Sequence, residues 1–167
     1  MNQKSRTYLM WGLYALLFLL FMMVQTTLFG RVRFFGTKLN LLPAVVVCVA
    51  MWSGHEAGGL FGLLAAWVWY ASGGEDGIMA MISFTVMGIL AGYLCSAVFP
   101  RRFVPAMGLC LCALLGHELT RFGLKFYLNG ADFSLLRWSL TTVVITLPVC
   151  PVIYLLAKAV GKAGGRT

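Results

Sequence analysis

Charged residues and His55 divide the chain into six uncharged runs, at 7–30, 39–54, 57–74, 77–100, 103–117 and 138–157. A helix that crosses a bilayer needs about 20 apolar residues, within a range of roughly 17–25. The first, fourth and sixth runs meet that outright. The fifth meets it when Glu118, Arg121 and Lys125 lie near a membrane face. The second and third are shorter, and only residues 52–57 part them. They predict two short helices or a re-entrant hairpin, and either arrangement returns the chain to the face where it entered. The pattern therefore predicts six helical passes, near 8–29, 40–53, 57–71, 78–99, 104–127 and 135–160.

Composition names the solvent of those helices. Hydrophobic residues make up 60% of the chain, charged residues only 11%, and the mean hydropathy is +0.88. A soluble domain carries about 25% charged residues, so this chain reads as an all-α integral membrane protein, with 1–167 as a single transmembrane domain. The first run starts as a signal peptide would, after Lys4 and Arg6. It is about 20 residues long rather than roughly 7–15, and no A-x-A cleavage signal follows, which predicts a retained first helix. The net charge of +8 is scattered between apolar runs. It forms no basic stripe of the kind nucleic acid needs, and Lys and Arg flanking apolar helices fit lipid head groups instead.

With six passes both termini share one side. That side receives Lys4, Arg6, Arg101, Arg102, Lys158, Lys162 and Arg166, while the other receives Arg31, Arg33, Lys38, Arg121, Lys125 and Arg137. The first set clusters tightly against helix ends, and the acids Glu75, Asp76 and Asp132 fall on the opposite side. The positive-inside rule then puts both termini in the cytoplasm.

Gly54, Gly58 and Gly62 are spaced by four within WSGHEAGGLFGLLAAW (52–67), and Gly88 and Gly92 repeat the spacing in the fourth run. In a helix such residues share a face. Helices in lipid associate by close packing, which small residues permit. The ladder predicts a tight hairpin of passes two and three, packed by its glycines, with His55-Glu56 in its turn. Its functional alternative is a docking face for a partner.

The two histidines each precede a glutamate, in HEAGG and HELTR. A helical metal site of the HExxH kind needs a second histidine one turn on, and each string lacks it. The rise along a helix separates the two pairs by roughly 15–20 Å, too far to share one ion, so neither metal nor cofactor is expected. The five cysteines, at 48, 95, 110, 112 and 150, contain no CxxC and read as small buried side chains. His117, Arg121 and Lys125 follow an i, i+4, i+8 row, with Glu118 able to reach Arg121 at i+3. Two readings stand. Arg121 and Lys125 snorkel to head groups while Glu118, near an end of its pass, neutralises Arg121; or the row meets a partner helix or lines a small cavity. No nucleophile elbow, phosphate loop or paired-carboxylate arrangement is present, and no enzymatic activity is expected.

The chain resembles the rod shape-determining MreD family of bacteria. A basic N-terminus leads into a first helix ending in Gln25-Thr26-Thr27-Leu28, and Lys38-Leu39-Asn40-Leu41-Leu42 opens the second. A glycine-rich hairpin with Gly58, Gly62 and Leu63 follows, then Gly77 opening a long fourth helix with Gly88 and Tyr93. Trp138-Ser139 and Pro148…Pro151-Val-Ile-Tyr-Leu-Leu lead to a basic tail. The likeness runs almost the full length as a pattern of lengths, glycines and prolines. The chain departs from it at Leu39, where the family usually has Pro, and at Ala65-Ala66-Trp67, where it often has Asp. The resemblance implies a non-enzymatic membrane subunit of the elongation machinery that binds the single-pass protein MreC. It would act with MreB, the glycosyltransferase RodA and its partner transpeptidase in lateral peptidoglycan synthesis.

That family is also similar in helix layout to the substrate-binding S components of ECF-type vitamin transporters, which supplies the alternative function. Such components dock through small residues spaced by four on helix one. Here LYALLFLLFMMVQ is bulky throughout except for Ala15. A carrier working alone is disfavoured by the scarcity of intramembrane polar groups, because a solute site needs convergent polar contacts.

Overall fold

The run LPAVVVCVAMWS has no polar face, and a helix that is apolar all round has to be surrounded. The computed structural model describes residues 3–29, 37, 39–74, 77–100, 102–130 and 134–163, and every regular element among them is helical. The run is helix α2 (Leu42–Ser53), and all of its side chains are buried. Helix α1 (Gln3–Val24) precedes it and continues into a π turn, Gln25–Phe29. Helices α3 (His55–Ala71), α4 (Gly77–Ala97) and α5 (Phe103–Asn129) follow. Helix α6 (Ser134–Thr146) passes through a 3-10 turn, Leu147–Val149, into α7 (Cys150–Ala163). Helices α1, α3, α4, α5 and α7 all pack against α2, while α6 lies outside against α5. Arg31, Arg33, Lys38, Arg101, Arg166, Glu75, Asp76 and Asp132, used above for sidedness, lie outside the described residues.

Among the described residues, four helices are long and apolar enough to cross a membrane: Ser5–Thr27, Gly77–Ala97, Phe103–Leu128 and Ser134–Lys162. The expected six passes thus divide into four that qualify by length and two that do not. Helix α2 has 12 residues, a rise of about 18 Å against a hydrocarbon core of about 30 Å. Helix α3 has 17 residues, a rise of about 26 Å. The last span is not one regular helix, because Pro148 and Pro151 each lack the N–H that an α-helix requires. The Cys150 N–H turns to the Leu147 carbonyl, and the Cys150 thiol takes the Thr146 carbonyl at 3.7 Å.

The glycine ladder works mainly between α3 and α4 rather than within the α2–α3 hairpin. Gly54 is not part of a helix face. It is the corner between α2 and α3, with φ of +92°, a conformation that suits glycine. A methyl group added at Gly62 would meet the Phe84 carbonyl, and one at Gly88 the Gly58 carbonyl. At Gly92 it would stand 2.6 Å from the Gly54 carbonyl, and at Gly58 2.6 Å from Ala50 Cβ of α2 and 2.8 Å from the Gly88 carbonyl. The two backbones are in contact, and no side chain larger than hydrogen fits between them.

The core continues through Trp11, Tyr14, Phe18 and Phe61, whose rings join α1 to α3. Gly161 of α7 lets Trp52 lie flat against its backbone at 3.1 Å from where a Cβ would stand. The Sγ atoms of Cys48 and Cys110 meet at 3.7 Å inside the bundle as free thiols. Four of the cysteines are buried as expected, but Cys112 is exposed, on the side of α5 that faces outward.

Gly62→Ala should lower the thermal midpoint of the purified protein and its accumulation in membranes, by the roughly 1–3 kcal/mol that overpacking costs. Gly62→Leu and Gly58→Leu should abolish accumulation. Gly123→Ala, where an added methyl meets nothing within 4 Å, should be neutral or slightly stabilising. Equal behaviour of Gly62→Ala and Gly123→Ala in a detergent melting series would sink the packing claim.

Candidate interhelical polar site

Helix α2 begins inside the protein, and its first backbone groups have no water to turn to. Pro43 in its first turn removes one N–H from the problem. The Leu41 N–H donates to Gln25 Oε1 at 2.8 Å, and Gln25, in the π turn that ends α1, is buried. The Asn40 N–H donates to Thr146 Oγ1 at 3.4 Å, and that hydroxyl donates in turn to the Thr142 carbonyl at 2.7 Å. Side chains from the π turn and from α6 therefore meet the backbone N–H groups where the chain enters α2.

Asn40 also reaches α5. Its Nδ2 donates to Glu118 Oε1 at 3.4 Å, and Arg121 Nη1 stands 3.5 Å from the same oxygen. Glu118 is only 4% exposed. It does not lie near an end of its helix, as its place beside Arg121 and Lys125 suggests from sequence. Gly116 is the midpoint of the 27-residue α5, so Glu118 sits about 17 Å from the Asn129 end, in the middle third of the helix. A lone buried carboxylate would be very costly, and Asn40 and Arg121 stand against this one. It also stands beside the N-terminus of α2, where the helix dipole favours negative charge.

The row of His117, Arg121 and Lys125 splits. His117 is 3% exposed and turns to α4, with Nδ1 3.0 Å from Ser83 Oγ and its ring 5.3 Å from that of Phe84. Glu118, Arg121 and Lys125 instead line a cavity of about 130 Å³ between α5 and α6, closed on the other side by Trp138, Ser139 and Thr142. His55 and Glu56 are exposed at the start of α3, 4.0 Å apart, and the His55 ring stands edge-on to Tyr93 of α4. Glu56 lies in the first turn of its helix, where the dipole favours it. Among the described residues, no three of His, Cys, Asp and Glu come together as metal ligands.

Gln25, Asn40, Ser83, Thr142 and Thr146 belong to this site; the sequence pointed to Gln25 and Asn40 only through the family resemblance, and to the other three not at all. The signal that could have found them is modest: single polar side chains inside otherwise apolar runs, each of which needs a partner in lipid. The outer surface of the described residues also carries apolar grooves. One, of about 640 Å³, lies between α1 and α3, lined by Trp11, Ala15, Phe18, Leu60, Phe61 and Leu64 among others. Another, of about 330 Å³, opens where α4 and α5 diverge, with Val47 of α2 on its lining and Cys112 at its side.

Glu118→Ala should destabilise the fold by about 3 kcal/mol, the low end for breaking a buried pair, since Arg121 keeps a fifth of its side-chain surface exposed. Glu118→Gln, which retains an acceptor for Asn40, should cost less. The double variant Glu118→Leu/Arg121→Leu should recover most of the loss. A double-mutant cycle by thermal melting in detergent measures this, and additive single effects would show that the pair is not coupled.

No family model, curated protein or solved structure matches the chain.

Proposed function

We propose that this chain is a non-enzymatic membrane scaffold that organises lateral peptidoglycan synthesis, as its resemblance to the MreD family implies. Its direct partner is the transmembrane helix of MreC, with MreB, RodA and the partner transpeptidase in the same complex. The observation that carries this reading is the filled interior. The space at the centre of the bundle, where a solute carrier keeps its solute, is occupied by α2, whose every side chain is buried. Recognition is left to the outside, where the groove between α1 and α3 is apolar and large enough for several side chains of a docked helix. Close packing with small residues at the contact is how helices recognise one another in lipid.

In this reading α2 and α3 form two partial passes, giving six in all. Both termini lie on the cytoplasmic side of the bacterial inner membrane. The filled centre also speaks against the transporter S-component alternative, which requires a cavity that encloses its solute.

The test is a mild-detergent pull-down of the tagged chain from its native membrane, with partners identified by mass spectrometry. MreC, RodA or the transpeptidase should be recovered. Ala15→Trp, which fills the α1–α3 groove from an exposed position, should reduce MreC recovery at unchanged protein level. Recovery of ATPase subunits with a transmembrane coupling protein would replace the scaffold by the transporter reading.

A further inference from the structure

We propose that the cavity between α5 and α6 binds a phosphate group, supplied as the head group of a phospholipid. This goes beyond the scaffold reading and does not depend on it.

The two helices are antiparallel neighbours here, and each turns one stripe of polar residues toward the other. Helix α5 contributes Glu118, Arg121 and Lys125; α6 contributes Trp138, Ser139 and Thr142. Among the described residues of the lining, two cations, Arg121 and Lys125, face one carboxylate. At the deep end Asn40 and Arg121 both reach Glu118 Oε1. The Arg121 contact, at 3.5 Å, is longer than the roughly 2.7–2.9 Å of a charge-assisted hydrogen bond. A guanidinium has five donors in a fork, a geometry that serves a carboxylate on one side and a phosphate on another. Lys125 adds a second charge about one turn nearer the helix end, and the Ser139 and Thr142 hydroxyls lie opposite.

Depth and size point to the same ligand. Lys125 is four residues from Asn129, where α5 ends, about 6 Å along the axis. Tyr127 and Trp138 are exposed at this level, as aromatic side chains are at the head-group layer. The mouth of the cavity therefore stands where phospholipid phosphates lie, while its floor reaches toward the middle of the bundle. Its volume of about 130 Å³ corresponds to about four waters at roughly 30 Å³ each. That admits the oxygens of a phosphate, and the acyl chains remain outside in lipid.

The experiment uses the full chain, purified in a mild detergent and titrated with phosphatidylglycerol, with diacylglycerol of the same chains, and with inorganic phosphate, read by native mass spectrometry. One phosphatidylglycerol should be retained per chain and no diacylglycerol. Lys125→Gln and Ser139→Leu, the first removing a charge and the second filling the cavity, should each weaken retention about tenfold. Lys158→Gln, at the other end of the bundle beside Tyr154, should leave it unchanged. Circular dichroism confirms that the variants are folded, and Lys125→Gln alone suffices where Ser139→Leu does not fold. Displacement of the lipid by millimolar inorganic phosphate, with the same loss in Lys125→Gln, would keep the phosphate site but make a free anion its ligand. Equal retention of phosphatidylglycerol and diacylglycerol, or equal retention by the wild type and Lys125→Gln, overturns the proposal.

Discussion

Lipid offers no hydrogen bonds, so every backbone N–H and C=O inside it must be met by the protein itself. The architecture depends on how α2 satisfies that demand. A helix of 12 residues cannot place both ends in water across a bilayer core. Its first end has to be received inside. Gln25 and Thr146 receive it, accepting from the Leu41 and Asn40 N–H groups, and the Asn40 side chain reaches Glu118 of α5. Once their hydrogen bonds tie α1, α2, α5 and α6 together, the apolar sides of α2 fix where the surrounding helices go.

The two kinds of adhesion in the molecule are segregated. Between α3 and α4 the contact is backbone against backbone, with Gly58, Gly62, Gly88 and Gly92 at the crossing. Between α2, α5 and α6 it is side-chain hydrogen bonding around Glu118. Helix α4 spends its small-residue face on α3 and so parts from α5, which leaves the groove lined by Val86, Leu90 and Ala113. Its outer residues, including Ile78, Ile82 and Leu90, stay exposed and are suited to acyl chains.

Much of this was legible in the sequence, and the reason differs from part to part. Helices were legible because uncharged runs of membrane length have few other uses. The close approach at Gly58 and Gly62 was legible because a spacing of four defines a face. The identity of the neighbour across that face was not, since α2 and α4 both adjoin α3 and spacing alone does not choose between them. The role of Gly54 was hidden because a glycine in a ladder and a glycine at a corner are the same letter. Glu118 was misplaced in depth because hydropathy assigns a charge to a boundary. Its acceptance in the middle of α5 rests on Asn40, which is 78 positions away. The split of His117 from Arg121 was equally invisible, because a row four residues apart still curves around a helix, and Ser83 and Phe84 of α4 draw one member aside.

The shortness of α2 bears on how the molecule is made. A nascent helix leaves the translocation channel for lipid when it is long and apolar enough on its own account. Helices α1, α4, α5 and the α6–α7 unit satisfy that condition, and α2 does not. Its start has Gln25 available as soon as α1 is in place, but Thr146 is synthesised more than a hundred residues later. The hairpin of α2 and α3 therefore completes its packing only once α4 supplies the crossing at Gly88 and Gly92. Biogenesis is then a matter of order in time: the element at the centre of the finished bundle is among the last to reach its final surroundings.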